Sequence, residues 1–195
     1  MPRRVELFYD YVSPFSYLAN SQIPGLAKRT GAEVVYRPFL LGGVMQATGN
    51  QPPATLPARG AYMPKDIARW VRRYGLPFRF NPSFPMNTLH AMRAALAAQE
   101  LGVFPAYHAA LFRAAWEEPR NLADAAELRD VIAKAGLDAE RILARAGADE
   151  IKARLKANTA EAAERGAFGA PTFFVGDEMF FGNDRLDFVE EALRA

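Results

Sequence analysis

The chain of 195 residues is 50% hydrophobic and 24% charged, an ordinary composition for a water-soluble globular protein with a sizeable core. Its net charge of +2 is small, whereas nucleic-acid binding usually needs a concentrated basic patch, so we expect no nucleic-acid partner. The sequence contains no cysteine, which excludes disulfides, thiolate metal sites and dithiol redox chemistry within this chain. We find no targeting segment and no apolar run near the roughly 20 residues of a membrane span, so we expect a cytoplasmic protein without a membrane partner.

The first 40 residues have the pattern of a β-α-β unit. Residues 5–8 form a short apolar run that predicts a buried strand. A Ser-Pro pair follows, with Ser13 as the helix N-cap, so a helix is expected over residues 14–29, kinked or broken near Pro24. Residues 33–38 predict a second strand, which a right-handed crossover places parallel to the first.

The middle of the chain combines a predicted loop with a long helical block. Residues 42–57 are polar and rich in proline, which predicts a loop, and a loop of this length inside a compact domain is often functional. Residues 59–166 are rich in alanine and have helical periodicity, and Asn87 is expected to cap one of the helices. We therefore predict a large all-helical insertion.

The end of the chain returns to strands. Residues 172–175 and 178–181 predict a hairpin with a Gly-Asp turn, and a last helix is expected to begin at Asn183 or Asp184. The order βαβ, helical block, ββα matches an α/β thioredoxin-like fold into which helices are inserted.

Two structural units are expected from this order. Residues 1–40 and 166–195 would form a discontinuous thioredoxin-like domain, and residues 41–165 would form a connecting loop and a helical insertion domain. The two chain ends would then frame a site in which Ser13 stands where a redox enzyme places cysteine. Such a site needs a thiol from outside the chain.

Ser13 has a structural and a functional interpretation. As part of a Ser-Pro pair it could be a helix N-cap and nothing more. A capping hydroxyl can also donate its proton to an anion, and a helix N-terminus lowers the pKa of a thiol placed there. Because His90 and His108 lie in no hydrolase motif and lack metal-ligand spacing, we interpret Ser13 as a hydrogen-bond donor rather than a nucleophile, and we predict no metal site.

Two dipeptides near the C-terminus also allow two interpretations. Ala170-Pro171 could simply place a proline at the first residue of a strand. In a thioredoxin-like fold the same position normally carries a cis proline, beside which the Ala170 backbone would pair with an extended peptide. Asn183-Asp184 could cap the last helix, or Asp184 could pair with the ammonium group of a γ-glutamyl moiety whose carboxylate meets the helix N-terminus.

Four motifs are distributed over nearly the whole chain. They are Phe-Tyr-Asp-Tyr-Val-Ser-Pro-Phe-Ser-Tyr at 8–17, Phe-Leu-Leu-Gly-Gly-Val-Met at 39–45, Thr-Gly-Asn-Gln-Pro-Pro at 48–53, and Gly-Ala-Phe-Gly-Ala-Pro-Thr-Phe-Phe at 166–174 with Phe-Gly-Asn-Asp-Arg at 181–185. In this combination and spacing the sequence resembles the 2-hydroxychromene-2-carboxylate isomerase family. That family belongs with the kappa-class glutathione transferases and the DsbA-like thioredoxin fold.

The resemblance implies a bound glutathione whose sulfur lies near Ser13. It also implies glutathione contacts from Asn50, Ala170, Pro171, Asn183 and Asp184. Arg59 stands where kappa-class relatives have a lysine near the tripeptide, which keeps the charge but changes the geometry of the donor.

The reaction is likewise implied by the resemblance. Glutathione thiolate would add to a conjugated small aromatic carboxylate, the double bond would become single and rotate, and elimination would give trans-o-hydroxybenzylidenepyruvate in naphthalene-type aromatic catabolism. Candidate aromatic walls, each of which could equally belong to the core, are Tyr11, Phe15, Tyr62, Trp70 and Phe168. Asn87 and Arg93 are candidates for the substrate carboxylate, although a cap and a solvated helix residue are alternatives. We also expect a homodimer.

Two other functions remain open from the sequence. A kappa-class-like transferase that conjugates glutathione to small electrophiles would have a nearly identical site, and it would differ by consuming glutathione. A non-catalytic thioredoxin-like binding module is also compatible with the absence of cysteine. Glutathione binding that is lost in Asp184→Ala would argue against the binding module.

Overall fold

The computed structural model describes residues 3–195 apart from the side chain of residue 54, so the first two residues of the expected thioredoxin-like unit lie outside it. Its central sheet contains β1 (Arg4–Tyr9), β2 (Glu33–Pro38), β3 (Thr172–Val175) and β4 (Glu178–Phe181), in the spatial order β2-β1-β3-β4. β1 runs parallel to β2 and antiparallel to β3, and β3 and β4 form the expected hairpin. The predicted α/β thioredoxin-like fold is thus confirmed, and both chain ends share one sheet.

The described residues contain nine α-helices. They are α1 (Pro14–Thr30), α2 (Leu41–Thr48), α3 (Pro57–Tyr74), α4 (Leu89–Glu100), α5 (Phe104–Trp116), α6 (Ala125–Lys134), α7 (Ala139–Ala146), α8 (Asp149–Glu164) and α9 (Leu186–Arg194). Short 3-10 turns cover Pro53–Thr55 and Asn183–Arg185. The helices from α3 to α8 correspond to the predicted helical block between the two halves of the sheet.

The first helix is set at both ends by local signals. Ser13 caps its start with a hydroxyl that accepts a backbone N–H, and Gly31 ends it in the left-handed conformation with φ of +69°. The expected break near Pro24 is wrong, because α1 is one continuous helix. Ile23 and Leu26 on either side of the proline are buried, and this packing holds the helix together.

Part of the predicted loop over residues 42–57 is also wrong, because α2 occupies its first half. Adjacent glycines disfavour a helix in isolation. Here Gly43 allows a close approach to α8, since a β-carbon at this position would lie 3.0 Å from the Thr159 methyl group. The Thr159 hydroxyl also accepts the Leu40 N–H at 3.0 Å. Contact with α8 therefore decides the conformation of this segment.

The central strand β1 divides the core into two parts. Leu7 and Tyr9 face the main core, whereas Phe8 faces a smaller cluster that includes Phe39 and Phe174. The Phe8 ring meets the Phe39 and Phe174 rings edge to face, with centroids 5.9 and 5.5 Å away. A strand buried on both faces is a rigid support, and the turn that follows it carries the candidate site.

Candidate active site

A cavity of about 1250 Å³ opens where the two end segments meet. Its walls come from the start of α1, from α2 and the loop after it, from α3, and from residues 84–89 and 168–170. Most of these walls are apolar, and the titratable side chains on them, within the described residues, are Asp10, Arg59, Tyr62 and Asp66. Pockets for one drug-sized ligand span about 300–1000 Å³, so this cavity has room for two small molecules.

Ser13 lies in the cavity wall at the N-terminus of α1. Its Oγ accepts the Ser16 N–H at 3.1 Å and donates to the Ala170 carbonyl at 3.0 Å. The Ala170-Pro171 bond is cis. The structure thus brings together the two motifs from opposite chain ends. The Ser13 hydroxyl donates to a carbonyl, and it can rotate to donate to an anion in the cavity instead.

Asn50 joins the loop after α2 to the C-terminal motif. Its Nδ2 donates to the Phe168 carbonyl at 2.8 Å, and its Oδ1 accepts the Gln51 N–H at 2.9 Å. Arg59 lies on the same side, in the first turn of α3, and its exposed side chain lines the cavity. Both residues therefore lie on the wall of the same cavity as Ser13.

Most of the predicted substrate residues line the same cavity: Phe15, Tyr62, Asn87 and Phe168. The Phe168 ring packs against Phe181 with centroids 4.5 Å apart, and both rings are partly exposed at the cavity wall. The expected cap at Asn87 is off by one residue, because Thr88 is the N-cap of α4, although the Asn87 side chain accepts the Leu89 N–H at 2.9 Å. Asn87 thus both contacts the start of a helix and lies on the cavity wall.

Three of the predicted substrate residues lie outside the described cavity wall. Trp70 packs against Tyr74 with ring centroids 5.3 Å apart, on the same helix. Arg93 lies on α4, and its Nε is buried without a hydrogen-bond partner within the described residues. Tyr11 is fully buried in the main core.

The placement of Tyr11 corrects its assignment as a substrate wall. Its hydroxyl lies 3.0 Å from His108 Nδ1, and its carbonyl accepts the Trp116 indole N–H at 2.9 Å. Asp10 and Val12, its neighbours in the chain, both line the cavity. Tyr11 lies in the turn after β1, and its ring packs against those of His108 and Phe112 in the core. Its packing in the core and its bond to Trp116 hold the turn before Ser13 in place.

His108 is buried beside Tyr11. Its Nε2 lies 2.9 Å from Asn20 Oδ1, which can only accept, so Nε2 carries the proton and Nδ1 accepts from the Tyr11 hydroxyl. Burial lowers the pKa of His108 to about 3, and the imidazole is therefore neutral in the folded protein. The same burial raises the pKa of the Tyr11 phenol well above its ordinary value.

Asn183 and Asp184 lie next to the cis proline but outside the cavity wall among the described residues. The Gly182 N–H donates to the Pro171 carbonyl at 3.0 Å, which fixes the start of the 3-10 turn beside that proline. The Asn183 side chain is buried, and its Nδ2 has no hydrogen-bond partner within the described residues. Asp184 is exposed and pairs with Arg185 at 2.6 Å.

Asp10 is the site residue that the sequence analysis missed. Its carboxylate is 2% exposed and accepts three hydrogen bonds, from the Val12 N–H at 3.1 Å, the Leu41 N–H at 2.9 Å and the Thr88 hydroxyl at 2.6 Å. Burial raises the pKa of the Asp10 carboxyl, and the three hydrogen bonds oppose that rise. A carboxylate at the end of a buried strand, three residues before the capping serine, was the signal that could have found it.

Similarity to known proteins agrees with this geometry. Residues 4–194 match the DSBA-like thioredoxin domain. The chain is also 37% identical to the 2-hydroxychromene-2-carboxylate isomerase of Sphingobium xenophagum over 99% of each protein. The chain belongs to the DSBA-like thioredoxin family, in the group of these isomerases.

Two further proteins are similar to this DSBA-like protein over nearly the whole chain. It is 28% identical to glutathione S-transferase kappa 1 of Rattus norvegicus, over 96% of this chain and 89% of the transferase. A solved structure of a 2-hydroxychromene-2-carboxylate isomerase superimposes with a TM-score of 0.86 at 31% identity, covering 97% of this chain and 94% of the other. The relatives are enzymes, so this protein is an enzyme of the isomerase or kappa-transferase type. The interpretation as a non-catalytic binding module is not supported.

Membrane spans and metal clusters are both missing from the described part of the chain. None of the helices there is long and apolar enough to cross a bilayer. Within the same residues, no group of three or more His, Cys, Asp or Glu side chains is arranged to hold a metal ion.

Proposed function

We propose that this protein is a glutathione-dependent cis-trans isomerase that converts 2-hydroxychromene-2-carboxylate to trans-o-hydroxybenzylidenepyruvate in aromatic catabolism. One observation carries the proposal: the Ser13 hydroxyl caps a helix start at the wall of a cavity beside Ala170, in a chain without cysteine. This arrangement can stabilise an external thiolate and supplies no thiol of its own. The relatives named for the isomerase and for glutathione transfer support the choice of ligand and reaction.

The residues around Ser13 fit an extended tripeptide. The Ala170 backbone beside the cis proline can pair with the peptide backbone, and Asn50 and Arg59 on the facing wall can bind its polar groups. The Asp184 carboxylate would bind the ammonium group at the γ-glutamyl end, next to the 3-10 turn that begins at Asn183. When bound, glutathione would supply the thiolate that adds reversibly to the conjugated substrate.

The protein's own contribution to catalysis is binding, orientation and exclusion of water. The Ser13 hydroxyl would turn from the Ala170 carbonyl to the sulfur and stabilise its charge, in addition to the helix N-terminus. The apolar walls, including Phe15, Phe84 and Met86, would hold the aromatic ring of the substrate beside the sulfur. Asn87 would meet the substrate carboxylate at the same wall.

A variant with its own thiol tests whether the glutathione sulfur lies at Ser13. We expect Ser13→Cys to form a mixed disulfide with oxidised glutathione at least tenfold faster than with hydroxyethyl disulfide, because only the former binds the tripeptide site. Mass spectrometry of the protein over time measures both rates. Ser16→Cys is the matched control, since that side chain is fully buried one turn further along α1. Equal rates with the two disulfides would contradict the proposal.

The Asp184 carboxylate should contribute to glutathione affinity. We expect Asp184→Ala to raise the dissociation constant for glutathione at least tenfold, because a hydrogen bond to a charged group contributes roughly 1.5–3 kcal/mol. Isothermal titration calorimetry measures this dissociation constant. Asp187→Ala, an exposed carboxylate one turn later, should bind like the unmodified protein. Equal affinities of the two variants would remove Asp184 from the site.

A glutathione transferase of the kappa type is the second candidate function. The full-length similarity to kappa 1 of Rattus norvegicus favours it. The two functions differ in the fate of the tripeptide, because an isomerase returns glutathione unchanged and a transferase consumes it. Free thiol measured during turnover of the chromene carboxylate therefore distinguishes them, and net loss of thiol would favour the transferase.

The domain division and the homodimer also belong to this proposal. Residues 3–40 and 166–195 would act as the thioredoxin-like unit that carries Ser13 and Ala170, and residues 41–165 would close the cavity from the other side.

Sedimentation velocity measures the oligomeric state, for which we expect a dimer.

A further inference from the structure

Three helices begin around one buried residue, Asp10, at the wall of the cavity. Leu41, the first residue of α2, donates its N–H to Asp10 Oδ2. Thr88, the residue before α4, donates its hydroxyl to Asp10 Oδ1. Ser13, the cap of α1, donates its N–H to the Asp10 carbonyl at 3.0 Å. Asp10 therefore accepts the first N–H of α2, whose own N-cap residue makes no side-chain bond, and at α4 it binds the hydroxyl of the residue before the helix.

The hydrogen bonds of Asp10 fit its ionised form. A carboxylate has about four acceptor positions, and here three are filled by groups that donate. No described Lys or Arg lies within ion-pair distance of it. The titratable groups nearest to Asp10 are the buried phenols of Tyr9 and Tyr11, which stay neutral because burial raises the pKa of each. The elements packed against Asp10 from α2 and α4 contribute Leu41 and Thr88, which carry no charge. Elsewhere on the cavity wall the charged groups are Arg59 and Asp66 on α3.

Helix N-termini and a carboxylate act on a thiol in opposite directions. A helix N-terminus lowers the pKa of a nearby thiol, whereas a like charge raises it. A thiolate that is stabilised too far is a weaker nucleophile, because nucleophilicity falls with pKa and the best attacking thiol has a pKa near ambient pH. Reversible addition therefore needs a balance of the two effects.

We propose that Asp10 is a positioning residue whose carboxylate joins the starts of α2 and α4 to the turn before α1 and limits how strongly the helix N-termini stabilise a thiolate bound beside Ser13. The inference rests on the proposed function, since it requires bound glutathione. It assigns Asp10 an effect opposite to that of Ser13: removal of the hydroxyl makes the thiolate less stable, and removal of the carboxylate charge makes it more stable.

The test compares the pKa of the bound glutathione thiol in matched variants by ultraviolet titration of thiolate absorbance. We expect Asp10→Asn to lower that pKa by about one unit, because a like charge is removed. An asparagine can still accept the Leu41 N–H and donate to the Thr88 oxygen, so two of the three contacts survive. Thr88→Val removes a hydrogen bond but keeps the charge, and it should not lower the thiol pKa.

A purely structural role of Asp10 predicts that the pKa of the bound thiol does not fall. If Asp10 only held the helices in place, Asp10→Asn would loosen the site and leave the thiol pKa unchanged or raised. Asp10→Ser provides a second removal of the charge with different lost contacts, and it should also lower the thiol pKa. An unchanged or raised value in both variants overturns the inference, as does failure of both to fold, which circular dichroism detects.

Failure of the inference and failure of the proposed function can be told apart. If the unmodified protein does not bind glutathione in calorimetry, or binds it without lowering its thiol pKa, the proposed function itself is wrong. If the unmodified protein binds glutathione with a lowered thiol pKa and the two Asp10 variants do not lower it further, only the role of Asp10 is wrong.

Discussion

Replacing Ser13 with alanine should lower the turnover number for the chromene carboxylate roughly 100-fold, the usual loss when one donor to a developing or bound anion is removed. The hydroxyl is the group at the helix start that can turn from the Ala170 carbonyl to the sulfur. Loss of the N-cap bond to Ser16 should also cost about 1 kcal/mol of folding stability, which leaves the protein folded. Stopped-flow absorbance of the chromene carboxylate gives the turnover number, and chemical denaturation gives the stability.

The pKa of the bound glutathione thiol shows whether a loss of turnover in Ser13→Ala comes from the site itself or from a loss of folding. In Ser13→Ala it should rise toward that of free glutathione, while calorimetry still detects binding of the tripeptide. Ser13→Thr keeps a hydroxyl at the cap and should recover most of the activity. Ser16→Ala removes a hydroxyl that has no partner among the described residues, and it should change neither the turnover number nor the pKa of the bound thiol. An unaltered turnover number in Ser13→Ala with glutathione bound would refute the role of the serine.

Acidification should destabilise the folded protein through His108. The pKa of this histidine falls from an ordinary value near 6.5 to about 3 in the fold, so between these values the unfolded chain binds a proton that the folded protein does not. Stability from this group is therefore complete above about pH 6.5 and is lost as the pH falls toward 3. The expected loss is roughly 3 kcal/mol at pH 4.5 and about 4 kcal/mol at pH 3, since a tenfold difference in proton affinity corresponds to about 1.4 kcal/mol.

Chemical denaturation at several pH values measures this loss. Other groups titrate over the same range, so the quantity of interest is the difference in slope between variants. His108→Gln keeps an acceptor for Tyr11 and a donor for Asn20, and it should be less stable at pH 7 but show a much shallower loss below pH 6.5. His90→Gln, at the other histidine and an exposed position, should keep the original slope. A slope that is equal in all three proteins would show that His108 is not the acid-sensitive group.

Elements whose signals are local could be predicted from the sequence. The start of α1 at Ser13 and the hairpin of β3 and β4 depend on capping and turn residues that are adjacent in the chain. The start of α7 has a signal of the same local kind, because the Asp138 side chain accepts the Arg141 N–H three residues later. These signals act within one turn of backbone, so no knowledge of the remaining chain was needed.

Elements whose stability comes from distant contacts could not be predicted. The helix α2 contains two adjacent glycines, and its conformation depends on a close approach to Thr159 on α8. The assignment of Tyr11 failed for a related reason. Tyr11 lies in the turn that follows β1, where no periodicity in the sequence indicates the direction of a side chain, and only the packing of His108 and Trp116 against Tyr11 places it in the core.

The sequence by itself determined the order of the strands and of the helices other than α2, the absence of any thiol in the chain, and a serine at the start of the first helix. Those properties depend on composition and on hydrogen bonds between neighbouring residues. The tertiary structure alone decided which groups surround that serine: the Ala170 carbonyl, the Asn50 amide and the Asp10 carboxylate with its donors Leu41 and Thr88. These contacts join residues more than 30 positions apart, and their formation depends on burial of the whole core, which no short stretch of sequence specifies.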